Sequence, residues 1–222
     1  MFQKLIGLHG AAGAGKDTIA EHLVSNHGFV RLAFGDILRD EVAQAFDLPA
    51  YMLTTRQHKE SPSCLLSLSR CRDEQFVDYV LLMAAVGDDA RSAPLLDAHG
   101  CYYPRSPRWI MQRWGDWRRS EYPYYWIYQM LDLLNDRVGG RVVISDVRSV
   151  PGARPDLEAH IVRKLGGELW HVTRPGLGAP AQHLTEQPLP AELMARHLDN
   201  SGSIAELLAQ AETAMGYTGV AA

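Results

Sequence analysis

The chain has 222 residues, a formal net charge of −4, and hydrophobic and charged fractions of 46% and 22%. That length accommodates one α/β domain with an insertion and a sizeable core. The acidic balance argues against a whole-surface nucleic-acid binder but not against a local basic site. The longest apolar run, Val80 to Val86, is far too short to span a membrane. Met1-Phe2-Gln3-Lys4 leads straight into a strand-like run, without the long apolar stretch of a signal peptide. Cys64, Cys71 and Cys101 make an odd count with no CxxC pair, which argues against a zinc site and for a reducing compartment.

In chain order, Lys4-Leu5-Ile6-Gly7-Leu8-His9 has strand character and Ile19 to Asn26 has helix periodicity. Between them lies Gly10-Ala11-Ala12-Gly13-Ala14-Gly15-Lys16-Asp17-Thr18. A glycine-rich turn between a strand and a helix start brings backbone N–H groups and the helix N-terminus onto an anion, and Lys16 adds a mobile positive charge. The usual hydroxyl directly after the lysine is replaced by Asp17, with Thr18 one position later. A Mg²⁺ ion would then be held largely through water and phosphate oxygens. The plain alternative is an ordinary turn in an α/β protein.

Gly28 ends the first helix, Phe29 to Ala33 reads as a buried parallel strand, and a helix runs from about Phe34 to Phe46. Asp36 sits where such a sheet presents its strand ends. It is either an acceptor-binding or acid–base carboxylate or a helix cap, and one residue can be both. Residues 47–104 are broken by Pro49, Pro62, Pro94 and Pro104, with one helix expected around Asp73 to Val86. This part reads as an insertion covering one side of a site.

Within residues 105–137, or just before them, the span Cys101 to Tyr128 holds four of the five tryptophans and six of the nine tyrosines. Arg105, Arg108, Arg113, Arg118 and Arg119 are opposed locally only by Asp116, which suggests an anionic partner. Pro107 suits a first helical position, and Arg108, Gln112 and either Gly115 or Asp116 would share a face. The alternative is a solvated charged face over an aromatic core. Arg141 to Asp146 is a buried strand ending in aspartate, as phosphate-loop enzymes use to orient Mg²⁺, or else Asp146 merely caps a turn. Arg148 adds positive charge at the same strand end. Leu157 to Leu165 reads as helix, Glu168 to Thr173 as strand, and Arg196 to Asn200 as a short last strand. A closing helix, Ser203 to Met215, begins at a serine cap. His183 and Glu186 lie in a Gly/Pro-rich loop without a second histidine at ligand spacing, so no metal is assigned there.

Taken together, these segments resemble the deoxynucleoside monophosphate kinases of bacteriophages and prophages. The carrying residues are Gly15 to Thr18, Leu32 to Arg39, Pro107 to Gln112 with Gly115, Arg119 with Trp126, and Ser145 to Arg148. Gly166-Gly167-Glu168, Arg174-Pro175, His183 to Glu186, and Asn200 before Gly202 complete the series. The likeness spans nearly all of the chain except roughly 50–104. It departs at Asp116-Trp117-Arg118-Arg119, which is one residue shorter than the family pattern, and at the longer link Ser149 to Ala159. Both changes border the implied acceptor site.

The resemblance implies a three-layer α/β fold of the P-loop NTPase, nucleoside-monophosphate-kinase-like type, with about five parallel strands. It would form one domain, 1–222, with an acceptor and lid insertion at approximately 47–137. The implied enzyme is a phosphotransferase passing a phosphoryl group from ATP, with Mg²⁺, to a deoxynucleoside monophosphate. Gly10, Ala11, Ala12, Gly13, Ala14, Gly15, Lys16, Asp17 and Thr18 would bind ATP, with Arg174 against its adenine. Thr18 and Asp146 would hold Mg²⁺. Asp36, Arg39, Arg108, Gln112, Trp117 and Arg119 would bind the acceptor, and Lys16, Asp36, Arg119 and Arg148 would act in catalysis. The host-cell cytoplasm and a non-membrane setting are implied, with the oligomeric state open, a homodimer included. One alternative keeps the fold and phosphorylates a hydroxymethylated pyrimidine within DNA, using the arginines and tryptophans of 105–126. Another is a nucleotide-binding switch without turnover, against which Lys16 and Asp146 argue.

Overall fold

In the computed structural model the described residues are 1–54, 59–86, 99–150, 154–177 and 188–216. In chain order the elements are β1 (Lys4–His9), α1 (Lys16–His27), β2 (Val30–Leu32), α2 (Phe34–Phe46), α3 (Tyr51–Thr54), α4 (Glu74–Ala85), α5 (Pro107–Glu121) and α6 (Tyr125–Asn135). There follow β3 (Arg141–Ile144), α7 (Leu157–Lys164), β4 (Glu168–Thr173), β5 (Arg196–Asp199) and α8 (Ile204–Met215). The chain divides into two compact units, Met1–Phe34 with Met130–Ala222, and Gly35–Gln129.

The first unit is built on five parallel strands in the order β2-β3-β1-β4-β5. Short runs of Val, Ile and Leu make the inner strands β1 and β3, which are covered on both faces, whereas the edge strands β2 and β5 carry Arg31, Arg196, His197 and Asp199 and each buries one residue. The central strand β1 is buried from Leu5 to His9. Its core partners are Ile19, Ala20 and Leu23 of α1, Val143 of β3, Trp170 and Val172 of β4, and Leu207 and Ala211 of α8. Gly7 and Gly167 are packing glycines: an added Cβ would lie 2.8 Å from Leu169 and from Leu5, respectively. With β3 on one side of β1 and β4 on the other, the strand order reverses beside the loop that leaves β1. Such a crevice at the strands' carboxyl ends is where open α/β sheets bind ligands. This is the three-layer α/β P-loop fold that the sequence predicts.

Local signals set the helix ends. Gly28 closes α1 in the left-handed conformation at φ 66°. Ser203 and Glu206 form a reciprocal capping box at the start of α8.

The second unit holds α3, α4, α5, most of α2 and the first five residues of α6, with short 3₁₀ turns between. Asp73 caps α4 and Ser106 caps α5, whose first residue is Pro107. Its core is aromatic: the Phe76, Trp114 and Trp117 rings lie with centroids 4.7–5.6 Å apart. Glu41 of α2 fastens this cluster. Its carboxylate accepts from Trp114 Nε1 at 2.7 Å, Arg118 Nε at 3.0 Å and Tyr125 Oη at 2.6 Å. Helix α6 follows α5 after a short break, a separation that the continuous aromatic run of the sequence concealed.

Glu41→Ala leaves the donors of the buried Trp114 and of the half-buried Arg118 and Tyr125 without their shared acceptor. The expected loss is about 2–4 kcal/mol of stability, read as a lower urea midpoint. A midpoint within error of the parent would mean the aromatic cluster holds without this carboxylate.

Candidate active site

The loop leaving β1 is held from behind by the sheet. Gly10 has φ 143°, and a Cβ there would lie 2.2 Å from the Val172 carbonyl oxygen of β4. Gly15 has φ 110°, and its Cβ would stand 2.7 Å from Asn200 Nδ2. That amide, just past β5, donates to the Ala14 carbonyl at 2.8 Å. Glycine is therefore needed at both positions twice over, for the left-handed backbone and for the close approach. The Lys16 ammonium donates to the carbonyls of Gly10 at 2.6 Å and Ala11 at 2.8 Å, so the lysine folds back along the loop. The first N–H groups of α1 have no intrahelical acceptor, and with the helix dipole they favour an anion.

His9, the last residue of β1, is buried and ties the loop base to its neighbours. Its Nδ1 lies 3.0 Å from the Val147 carbonyl, and the Leu189 N–H donates to its Nε2 at 3.3 Å. Those partners fix the neutral tautomer with the proton on Nδ1. Burial lowers its pKa to about 4, helped by His171, Lys16 and Arg148 and opposed by the Val147 carbonyl.

The same backbone brackets Asp146. Ser145 N–H donates to Leu32 O at 2.9 Å and Val147 N–H to Leu8 O at 3.0 Å. One Asp146 oxygen accepts from the Phe34 N–H at 2.8 Å, which places a cap on α2. The aspartate thus caps a helix, though α2 rather than the turn that follows it. Thr18 is half-buried in the first turn of α1, whereas Asp17 is exposed, its carboxylate 3.9 Å from Arg31. Arg148 is exposed, and its N–H donates to the buried Glu158 carboxylate at 2.8 Å. Arg174 is exposed directly after β4.

In the second unit, Asp36 lies in the first turn of α2 and is ion-paired with Arg39. Arg108 is paired with Glu60, and Arg119 with Asp116 at 3.1 Å. Gln112 is half-buried on α5. Gly115 lets Arg119 lie against the helix, its guanidinium 3.3 Å from where a Cβ would be. Two expectations are corrected here. Trp117 is only 1% exposed, packed against Phe76 and Trp114 and covered by the Arg118 guanidinium at 4.2 Å. It offers no open face to a nucleobase. Nor are the clustered arginines opposed by Asp116 alone: Glu41 and Glu60, distant in sequence, neutralise Arg118 and Arg108. His183 and Glu186 lie outside the described residues.

Sequence reasoning gave neither His9 nor Asn200 a role. His9 reads as one more strand residue. Asn200 entered only as part of a family pattern, because its partner Ala14 is 186 positions away.

The donor set suits the groups that such a loop handles. Loop amides and an ammonium match a polyphosphate, and the Thr18 hydroxyl and Asp146 carboxylate are hard oxygen donors of the kind Mg²⁺ takes. Sheet order, loop and strand-end aspartate define a P-loop phosphotransferase.

Comparison with known proteins agrees. The chain is 27% identical over 186 residues to a putative deoxynucleotide monophosphate kinase of Acanthamoeba polyphaga mimivirus, covering 83% of this chain and 81% of that protein. It is 25% identical over 236 residues to the deoxynucleotide monophosphate kinase of Enterobacteria phage T4, covering 93% and 96%. The chain is thus a relative of viral deoxynucleotide monophosphate kinases, as its motifs predict. No family model matches the sequence. A sugar kinase structure from Janibacter aligns over 97% of this chain and 95% of its own, with 14% identity and a TM-score of 0.42. No helix among the described residues is long and apolar enough to cross a membrane.

Two outcomes follow from this geometry. Asn200→Ala should loosen the loop and raise the KM for ATP about ten-fold, while the free energy of unfolding falls by no more than about 1–2 kcal/mol. An unchanged KM would detach Asn200 from loop positioning. For His9 the folded pKa of about 4 lies below the ordinary 6.5. The unfolded chain therefore binds the proton more tightly. The stability contribution is complete above pH 6.5 and is lost as pH falls towards 4, to the order of 3 kcal/mol. Urea midpoints at pH 7 and pH 4.5 should converge for His9→Asn relative to the parent. An identical pH slope in the two proteins would contradict this.

Proposed function

We propose that the chain transfers the γ-phosphoryl group of ATP to a deoxynucleoside monophosphate, giving ADP and the diphosphate. The observation that carries this reading is the glycine loop pinned by Val172 and Asn200, with Lys16 along it and Asp146 bracketed at its base. The two viral relatives that match over most of the chain are named for the same activity.

The chemistry asked of the protein is mainly positioning and charge neutralisation, because a phosphate acceptor is already nucleophilic at neutral pH. The amides of Gly10 to Thr18 cradle the donor phosphates. Lys16 exchanges its two loop carbonyls for β- and γ-phosphate oxygens and holds them as negative charge shifts. Thr18 and Asp146 hold Mg²⁺, which, when bound, neutralises charge developing on the phosphate oxygens. Arg174 lies against the donor adenine. Arg39, Arg108 and Arg119 bind the acceptor phosphate, and Arg148 neutralises the group in transfer. Asp36 and Gln112 contact the acceptor nucleoside. The ion pairs of Arg39, Arg108 and Arg119 hold these side chains ordered before substrate arrives. Each must exchange at least part of its carboxylate contact for phosphate.

Transfer onto a hydroxymethylated pyrimidine within DNA drew on the crowded arginines and tryptophans of 105–126, among which Trp117 is buried. With Glu41 and Glu60 paired to two of the arginines, no feature of the described residues favours it.

Label transfer from γ-labelled ATP to each deoxynucleoside monophosphate tests the reading. Lys16→Ala should cut kcat about 10²–10³-fold in a protein that still folds. Arg119→Ala should raise the acceptor KM and lower kcat. Intact turnover in Lys16→Ala would remove the donor assignment, and unchanged constants in Arg119→Ala would remove the arginine from the acceptor site.

A further inference from the structure

Far from the phosphate loop, at the other end of α1, two imidazoles meet one carboxylate. His22 and His27 project from α1, and Glu212 from α8. Glu212 Oε1 lies 2.5 Å from His22 Nε2 and 2.7 Å from His27 Nε2. The two rings stand 5.5 Å apart, centroid to centroid, at 63°. The three ligand-type atoms all lie within 4.8 Å of one another. We propose that His22, His27 and Glu212 form a binding site for a borderline divalent cation of the Zn²⁺ type.

The donor set is the first argument. Two imidazoles and a carboxylate suit Zn²⁺, Co²⁺ or Ni²⁺, and in three-ligand sites the fourth position goes to water. Bonds of about 2.0–2.2 Å in a tetrahedron separate the ligand atoms by about 3.3 Å. The two carboxylate–imidazole pairs need to open by less than about 1 Å, within the reach of small rotamer changes.

Electrostatics is the second. His27 is the last residue of α1 and Glu212 lies in the final turn of α8. The negative ends of two helix dipoles therefore meet here, and both favour a cation.

The third argument is support around the ligands. Asn26 Nδ2 lies 2.9 Å from His22 Nδ1, and Arg141 donates to the His27 carbonyl at 3.0 Å. With a metal on Nε2, the His22 Nδ1 carries the proton, and the Asn26 amide turns to present its oxygen. Such a contact orients a metal-bound imidazole. The histidine side chains are 17% and 13% exposed, sheltered yet reachable by an ion. A sequence scan misses the trio because Glu212 is 185 positions from the nearer histidine.

At a rise of 1.5 Å per residue, His22 and His27 stand about 9 Å and about 16 Å along α1 from Lys16, outside the phosphate loop, so the cation has a stabilising rather than a chemical role. Titration of the metal-free chain with Co²⁺ should give the visible bands of a tetrahedral ion at one equivalent, displaced by Zn²⁺. His22→Gln, His27→Gln and Glu212→Gln should each weaken binding by about ten-fold or more, while the exposed His160→Gln leaves it unchanged. Zn²⁺ should raise the parent's Tm and not that of the three variants. Should a variant misfold, diethylpyrocarbonate labelling of the parent decides: Zn²⁺ must shield His22 and His27 but not His160. No cobalt bands, undiminished affinity in folded variants, or no shielding would overturn the proposal.

Discussion

The proposed chemistry depends on a backbone loop that is held rigid from behind while its front is left to an anion. Two contacts do this. The Val172 carbonyl fills the space where a Cβ at residue 10 would be, and the Asn200 amide grips Ala14 across the space where a Cβ at residue 15 would be. A single hydrogen bond of this sort adds only about 1 kcal/mol to folding. Its importance is geometric, since phosphate-binding amides must already point at the ligand when it arrives. Because β4 and β5 provide the backing, the whole parallel sheet is in effect the support of the six-residue turn between β1 and α1.

The same sheet positions the strand-end carboxylate. Backbone bonds on either side of Asp146, to Leu32 and Leu8, fix the residue between two neighbouring strands, and the Phe34 N–H takes one carboxylate oxygen. His9 then locks the exit of β3 to the base of the loop. A neutral histidine suits that place better than a charged one. It can donate to Val147 and accept from Leu189 at once, and it adds no positive charge beside Lys16.

Much of this was legible in the sequence because the signals are local. Runs of Val, Ile and Leu bounded by glycine marked the strands, Gly28 and Ser203 marked helix ends, and Gly10 to Thr18 marked the loop. What could not be read is what depends on distant partners. Asn200 finds Ala14, and Glu41 gathers Trp114, Arg118 and Tyr125 only after folding. Counting charges along 105–119 set only Asp116 against five arginines, although two of their counter-ions come from α2 and from residue 60. Trp117 belongs to an i, i+3 aromatic pair that packs inward on Phe76. Composition alone does not separate a buried tryptophan from a stacking platform.

The most direct test is steady-state ADP release from ATP and Mg²⁺ across a panel of acceptors. The panel holds the four common deoxynucleoside monophosphates, their ribose counterparts, and DNA with and without hydroxymethyluracil. The account predicts slow release without acceptor and strong, saturable stimulation by one or more free deoxynucleoside monophosphates. Stimulation by modified DNA alone, or a rate indifferent to every acceptor, would contradict it.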